Sequence, residues 1–202
     1  KATGGTAETI DTFFVKGSPQ YNAKVRQVTN NLKEAQKLVD EYVAEKGPLT
    51  VEFQLYSGGV NWGEPQAQQW SRLKGITVKL EVIPTTTAGA NLATGNFQMA
   101  ASGITGSDPE AFYSTLHSTS RGNVYHYNNP TVDATLDELR SETDPKQQYE
   151  LWTTLTKELL DDAPGVFWYR AVVPMVIRGG ISGIERYSTG TPDFTTLWIA
   201  KT

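Results

Sequence analysis

Cysteine is absent from these 202 residues, which excludes disulfides and thiolate metal sites without fixing a compartment. Histidine is nearly absent too, with only His117 and His126. Their spacing matches no helical metal pair such as HExxH. His117 reads as a surface helix residue, and His126, between Tyr125 and Tyr127, as a structural one. No metal and no other cofactor is expected. Long apolar runs are missing, and none reaches the length of a membrane-spanning helix. A large charge of one sign is missing as well: 18 basic and 22 acidic residues leave a net charge of -4. That balance gives no electrostatic case for a nucleic-acid partner.

Catalytic signatures are equally scarce. GGISG, from Gly179, puts Ser182 in the wrong place for a GxSxG elbow, and neither GxGxxG nor a Walker A run occurs. A glycosidase needs two carboxylates across a cleft, and the sequence nominates no such pair. Asp161 and Asp162 close a helix just before Pro164 and read as turn residues. No catalytic residue is expected, and the chain is not read as an enzyme. The first residues, KATGGTAETIDTFFVKGSPQYN, carry no initiator Met and no apolar signal segment. The chain is expected to be a piece of a longer protein.

What is present is a globular composition, 38% hydrophobic and 20% charged. Residues 1–31, broken by Gly4, Gly5, Gly17 and Pro19, form an irregular lead-in, and 32–202 form one α/β body. The lead-in is followed by a helix whose face is Ala35, Leu38, Val39, Tyr42 and Val43, stopped at Gly47-Pro48. LTVEFQLY alternates through Leu49, Val51, Phe53 and Leu55 as a half-buried strand. SGGVNWGEP, Ser57 to Pro65, reads as a loop, and AQQWSRLKG as a helix ended by Gly75. ITVKLEVI alternates through Val78, Leu80 and Val82. A short helix or turn then leads to a third strand, FQMAAS. This order is an α/β pattern.

The second half reads as mostly helical. Asn129-Pro130 and Asp144-Pro145 each pair an N-cap with proline at the first helical position, and Gln147 completes a capping box with Asp144. Val132, Leu136 and Leu139 mark one buried face; Leu151, Trp152, Leu155, Leu159 and Leu160 mark another. GVFWYRA and VPMVIR read as strands or extended segments. The aromatic tail TPDFTTLWIA is suited to docking on the body. Trp70, Trp152 and Trp198 are expected in the core. Trp168 faces in or out with equal weight.

Two loops follow strands in this pattern: SGGVNWG after the first and SGITGSDP after the third. In open α/β sheets, ligands gather beyond the carboxyl ends of strands. Small residues let backbone approach a ligand closely, and exposed amides and hydroxyls orient it. The candidate ligand-binding residues are Asn61 and Trp62 in the first loop, and Ser102, Gly103, Thr105, Ser107 and Asp108 in the second. Asp108-Pro109 reads as an N-cap that delivers helix N-terminal amides to the same place. The alternative is a tight strand-to-helix turn in which Gly103 and Gly106 supply positive φ. Trp62 is either a loop anchor or a ligand-stacking ring.

Several runs resemble the peptide/nickel-type, or family 5, solute-binding proteins of ABC transporters. The clearest are Tyr127 to Asp133 (Tyr-x-Asn-Pro-x-Val-Asp), the Thr143 to Pro145 break, the Asp162 to Pro164 stop and the closing PDFTTLW. Upstream, Asn30 to Leu55, GITVKLEVIP, GNFQMAASG and GSPQYN fit the same order, so the resemblance covers nearly the whole chain.

The resemblance implies one lobe of a type II periplasmic-binding-protein-like fold, with a mixed sheet flanked by helices. It implies a C-terminal lobe that forms one wall of a solute cleft, with an N-terminal lobe of the same protein as its partner. The further partners it implies are a small solute of the peptide or oligosaccharide class and a membrane ABC permease. The location it implies is periplasmic or extracellular, tethered as a lipoprotein if the missing N-terminus carries a lipid anchor. In peptide binders of this family the loop before α-helical Asp-Pro carries a Trp that lines the pocket and an Asp that pairs with the peptide amine. Ser102 and Thr105 stand at those positions here, which points to a neutral solute such as an oligosaccharide or a modified peptide. A shift of the alignment brings Asp108 nearer the Asp role. Two other readings are a hydrolytic α/β domain and a free-standing interaction domain with a patch around Trp62 and Trp168.

Overall fold

A helix begins at Leu32 because Asn31 offers its side-chain oxygen to the Glu34 N–H at 3.1 Å. In the computed structural model, which describes residues 10–168, 170, 175–187 and 190–200, this helix α1 spans Leu32–Lys46. Its buried stripe is narrower than its apolar content. Val39 is buried and Val43 lies against Gly75, but Leu38 and Tyr42 face solvent. Gln36 explains the rotation: its amide donates to the Lys74 carbonyl at 3.0 Å and accepts the Lys74 N–H at 2.8 Å. That clamp turns the 36–39–43 edge inward, at the expense of Leu38 and Tyr42.

Strand β1 (Leu49–Tyr56) is central in a three-stranded parallel sheet of order β2-β1-β3. β2 is Ile76–Ile83, paired in register from Leu49↔Ile76 to Tyr56↔Ile83. β3 is only Met99–Ala100, paired Phe53↔Met99 and Gln54↔Ala100. The expected alternation places Phe53 and Leu55 in the interior. Val82 departs from it and is exposed.

The segment read as a long loop after β1 is mostly helix. A single 3-10 turn, Ser57–Gly59, runs straight into α2 (Val60–Trp70), with Pro65 inside the helix. Glycine misled the reading. Gly63 serves close packing, since a Cβ there would meet Leu55 Cδ1 at 2.0 Å. Pro65 removes the N–H that would bond the Asn61 carbonyl, a cost the packing of α2 on the sheet offsets. The helix also ends earlier than expected, at Trp70. Gly75, at φ +93°, closes a turn instead of a helix. Between β2 and β3 lies α3 (Thr85–Thr94), capped by Gly95 in the left-handed region. Four threonines and a glycine gave it little helical signal in sequence.

The remaining core is helical: α4 (Pro109–Leu116), α5 (Pro130–Leu139) and α6 (Pro145–Asp162). Val132, Leu136, Leu139, Trp152, Leu155 and Leu159 form its centre as the periodicity predicted, with Phe112 and Leu116 from α4. The irregular lead-in is part of this core. Phe14 packs edge-on against Trp152 at 5.1 Å and is buried. The three proline-led N-caps also hold. Asn129 accepts from Thr131 and Val132, Asp144 from Lys146 and Gln147, and Asp108 from Ala111. The return half of the Asp144 capping box differs. The Asp144 N–H goes to Glu142 Oε1 at 2.7 Å, so Glu142 takes the part assigned to Gln147.

The sheet expected as mixed is divided. Its parallel part is β2-β1-β3; the antiparallel pairs are separate two-stranded ribbons, β4 (Ile181–Ser182) with β7 (Trp198–Ile199), and β5 (Glu185–Arg186) with β6 (Pro192–Asp193). The tail therefore does not dock on the body as expected. Trp198 is 56% exposed, and Phe194 and Ile199 are exposed beside it, because a two-residue ribbon brings no second layer to cover its side chains. Trp152 is in the core and Trp70 lies against Phe53 at 5.4 Å. The strands expected over GVFWYRA and VPMVIR fall partly on 169 and 171–174, outside the described residues; 165–168 and 175–178 form no regular strand.

Candidate functional site

β1 and β3 are hydrogen-bonded neighbours running the same way. Their following segments therefore leave the same edge of the sheet, with Tyr56 and Ser102 each two residues beyond the Gln54↔Ala100 pair. Adjacent strands lie about 4.8 Å apart, so the two sequence-predicted segments are brought together.

On the first side, Asn61 and Trp62 occupy the opening turn of α2. Asn61 is exposed and Trp62 half-buried. The Trp62 indole folds back over Gly59, where a Cβ would lie 2.7 Å from Cζ2. It meets Tyr56 edge-on at 6.1 Å and Trp168 at 5.1 Å. Sequence offered Trp62 as an anchor or a stacking ring; the structure gives it two aromatic neighbours while leaving part of its surface open.

On the second side, Ser102, Gly103, Thr105 and Ser107 are all exposed. Gly103 has open space where a side chain would stand. Gly106, at φ +115°, makes the tight turn, and a Cβ there would lie 2.9 Å from Ala111 Cβ. The loop is tied down at both ends. The Ser107 carbonyl accepts from Gln20 at 3.1 Å. The Ser102 side chain bonds the Tyr125 phenol, and this contact partly offsets the upward push that burial gives Tyr125.

Asp108 is half-buried and caps α4, accepting the Ala111 N–H at 3.0 Å. This narrows the expectation that the loop presents helix N-terminal amides to a ligand. Pro109 has no N–H, Ala111 is taken by the Asp108 carboxylate, and Phe112 bonds the Asp108 carbonyl. An anion at this helix end would meet a resident negative charge.

Sequence reasoning missed Gln20, whose contact spans 87 residues, and Gln27. Gln27 holds the segment carrying Trp168: its Nε2 donates to the Phe167 carbonyl at 2.9 Å and its Oε1 accepts the Phe167 N–H at 3.1 Å. No local pattern marks either glutamine.

The two histidines lie elsewhere. His117 is not a surface residue but 6% exposed, because it ends α4 facing α5. It stacks on Tyr113 at 4.3 Å, and Asp133 and Asp137 stand 4.0 and 3.6 Å from its two ring nitrogens. The Thr119 N–H donates to Nδ1 at 3.2 Å. His126 is exposed, at φ +53°, over Gly95. Among the described residues no group of three potential ligands is arranged to hold a metal ion, and no helix is long and apolar enough to cross a membrane.

A parallel sheet flanked by helices is the architecture of type II periplasmic binding proteins, and solved structures show that fold. The substrate-binding domain of the oligopeptide ABC transporter from Bacillus anthracis superposes with TM-score 0.76 at 18% identity, over 97% of this chain and 41% of that one. The Escherichia coli murein tripeptide binding protein MppA superposes with TM-score 0.73 at 20% identity, over 100% and 42%. In sequence, the periplasmic murein peptide-binding protein MppA of Escherichia coli K12 is 30% identical over 141 residues, 67% of this chain and 26% of that protein. The profile of the bacterial extracellular solute-binding proteins, family 5 Middle, matches residues 1–124. The chain belongs to the family 5 solute-binding proteins. It spans about a quarter of the length of the curated relative it matches.

Proposed function

We propose that this chain is a solute-binding lobe of the receptor for an ABC importer, with the shared edge of β1 and β3 as one wall of its ligand cleft. The observation that carries this reading is that the 3-10 turn and first turn of α2 after β1 and the small-residue loop after β3 leave the same end of the sheet in a chain of this family. Asn61, Trp62, Ser102, Gly103, Thr105, Ser107 and Asp108 are the ligand-facing residues. A second lobe of the same protein closes over the solute, and a membrane permease receives it. The relatives are binding proteins, and this lobe binds and releases without turnover. The setting is periplasmic, as the name of MppA states for that relative, or extracellular, with a lipid anchor where the full protein carries one.

The test starts from the protein as its source cell makes it. Its intact mass fixes how much chain accompanies these residues, and calorimetry against peptide and oligosaccharide panels follows. Saturable binding without consumption of the solute, with uptake lost on gene deletion, supports the receptor. Turnover of a bound compound, or normal uptake of every bound solute after deletion, overturns it.

A further inference from the structure

Between the last turn of α3 and the chain from Ser118 to Asn128 lies a hollow of about 360 Å³. It shares no residue with the proposed wall, and its lining holds no Asp and no Glu. Arg121, His126 and Asn128 line it, and all three are exposed. None of these three side chains has a hydrogen bond or an ion pair among the described residues. The other polar lining groups are engaged. The Ser118 hydroxyl donates to Asp133, the Ser120 hydroxyl to the Ser114 carbonyl at 2.6 Å, and the Asn123 amide to the Tyr127 carbonyl. The carboxylates beside them are engaged too. Asp133 accepts the Ser118 N–H and hydroxyl. Asp162 accepts the Tyr127 phenol and the Asn129 amide, and Glu158 the same amide at 3.4 Å. What the hollow leaves uncommitted is a guanidinium, an imidazole and an amide.

The second feature is in the backbone. His126 takes φ +53°, a left-handed conformation uncommon for a residue with a side chain. Gly95, at φ +70°, leaves the space its ring occupies, since a Cβ there would lie 2.6 Å from His126 Nε2. Unfavourable conformations of this kind gather at ligand clamps, and the ring placed by this one makes no hydrogen bond among the described residues. Arg121 and His126 offset the partial negative charge at the C-terminal end of α3, yet both stay open to solvent.

We infer that this hollow is a second binding site, for a small molecule that bears a phosphate group. The Arg121 guanidinium engages two phosphate oxygens through its fork, and His126 and Asn128 donate to the others. A carboxylate fills the fork alone, because it has only two oxygens. The volume exceeds that of one oxyanion and leaves room for the group that carries it. This site stands whether or not the wall above binds a solute.

The protein as its source cell makes it, in phosphate-free buffer, is titrated by calorimetry with inorganic phosphate, glycerol 3-phosphate and acetate at low and high salt. The expected result is saturable binding of both phosphates, weakened as salt rises, with acetate about tenfold weaker. Arg121→Gln weakens phosphate about tenfold, and His126→Gly, which suits the left-handed backbone, about threefold. Melting curves check that each variant folds; if Arg121→Gln does not, Asn128→Ala gives the readout from another exposed position. Binding without saturation, or acetate bound as tightly as phosphate, overturns the site. So do folded variants that bind phosphate like the parent. A lower melting temperature in the variants, with no binding of phosphate by the parent, also overturns it and leaves Arg121 and His126 serving the end of α3 alone.

Discussion

A Cβ added to Gly63 would lie 2.0 Å from Leu55 Cδ1, so α2 rests on β1 at a separation only glycine allows. Gly63→Ala forces helix and strand apart, or Leu55 out of its rotamer. The expected cost is about 1–3 kcal/mol, read as a shift in the urea midpoint. The exposed control Gly89→Ala, in α3 with open space at its Cβ, is expected to be neutral or stabilising. Equal effects at the two positions would refute the close-packing account.

Asp162 ties the end of α6 to the segment leading into α5. The Tyr127 phenol donates to its Oδ2 at 2.6 Å and the Asn129 amide at 2.7 Å. These bonds, the phenol's foremost, hold its carboxyl below the ordinary value of 3.8. A depressed folded value gives stabilisation present above pH 3.8 and lost as pH falls through the folded value. Asp162→Asn is therefore expected to flatten the acid limb of a urea-stability profile below that pH. An unchanged acid limb would remove Asp162 from the account.

Tyr127 moves the other way. Burial first, and then the Asp162 carboxylate, raise the phenol above its ordinary value of 10.0. The stabilisation is present below pH 10 and is lost as pH rises through the folded value. Tyr127→Phe is expected to remove that alkaline loss, and ultraviolet phenolate titration should lose one late-ionising tyrosine. Retention of the late-ionising tyrosine would assign it to another residue.

Asn123 is buried and braces the turn after α4. Its Nδ2 donates to the Tyr127 carbonyl at 2.7 Å, and its Oδ1 accepts the Tyr127 N–H at 3.2 Å. Asn123→Ala leaves both backbone groups without these partners and is expected to cost about 1–3 kcal/mol. Denaturant unfolding showing less than a few tenths, about the effect of an ordinary surface substitution, would mean that water replaces the side chain.

The start of α6 separates two glutamine and glutamate roles. Glu142→Ala removes the acceptor of the Thr143 and Asp144 N–H groups and is expected to cost about 0.5–2 kcal/mol. Gln147→Ala, which leaves those bonds intact, is expected to stay within about 0.5 kcal/mol. The reverse ranking in thermal melts would restore the capping box as read from sequence.

The sequence by itself determined what depends on near neighbours. The Asn129, Asp144 and Asp108 caps, the α5 and α6 core faces and the alternation of β1 are all set within a few residues. Each is a local period or a side chain reaching two or three residues along its own backbone. Small residues after two strands also marked the candidate site, because backbone approach needs them wherever the chain goes.

Tertiary structure decided the rest. Only packing shows that Gly63 serves contact instead of a loop, since its reason is Leu55 on another element. His117 is buried because α5 lies across the end of α4, which no helical period in α4 records. Leu38, Tyr42 and Trp198 are exposed because hydrophobicity states what a side chain gains from burial, and the neighbouring elements decide whether a partner is there. The site is divided in the same way: its small loops were local, but their meeting at one edge and the bracing of Trp62 by Trp168 come from strand pairing and from contacts across about a hundred residues of chain.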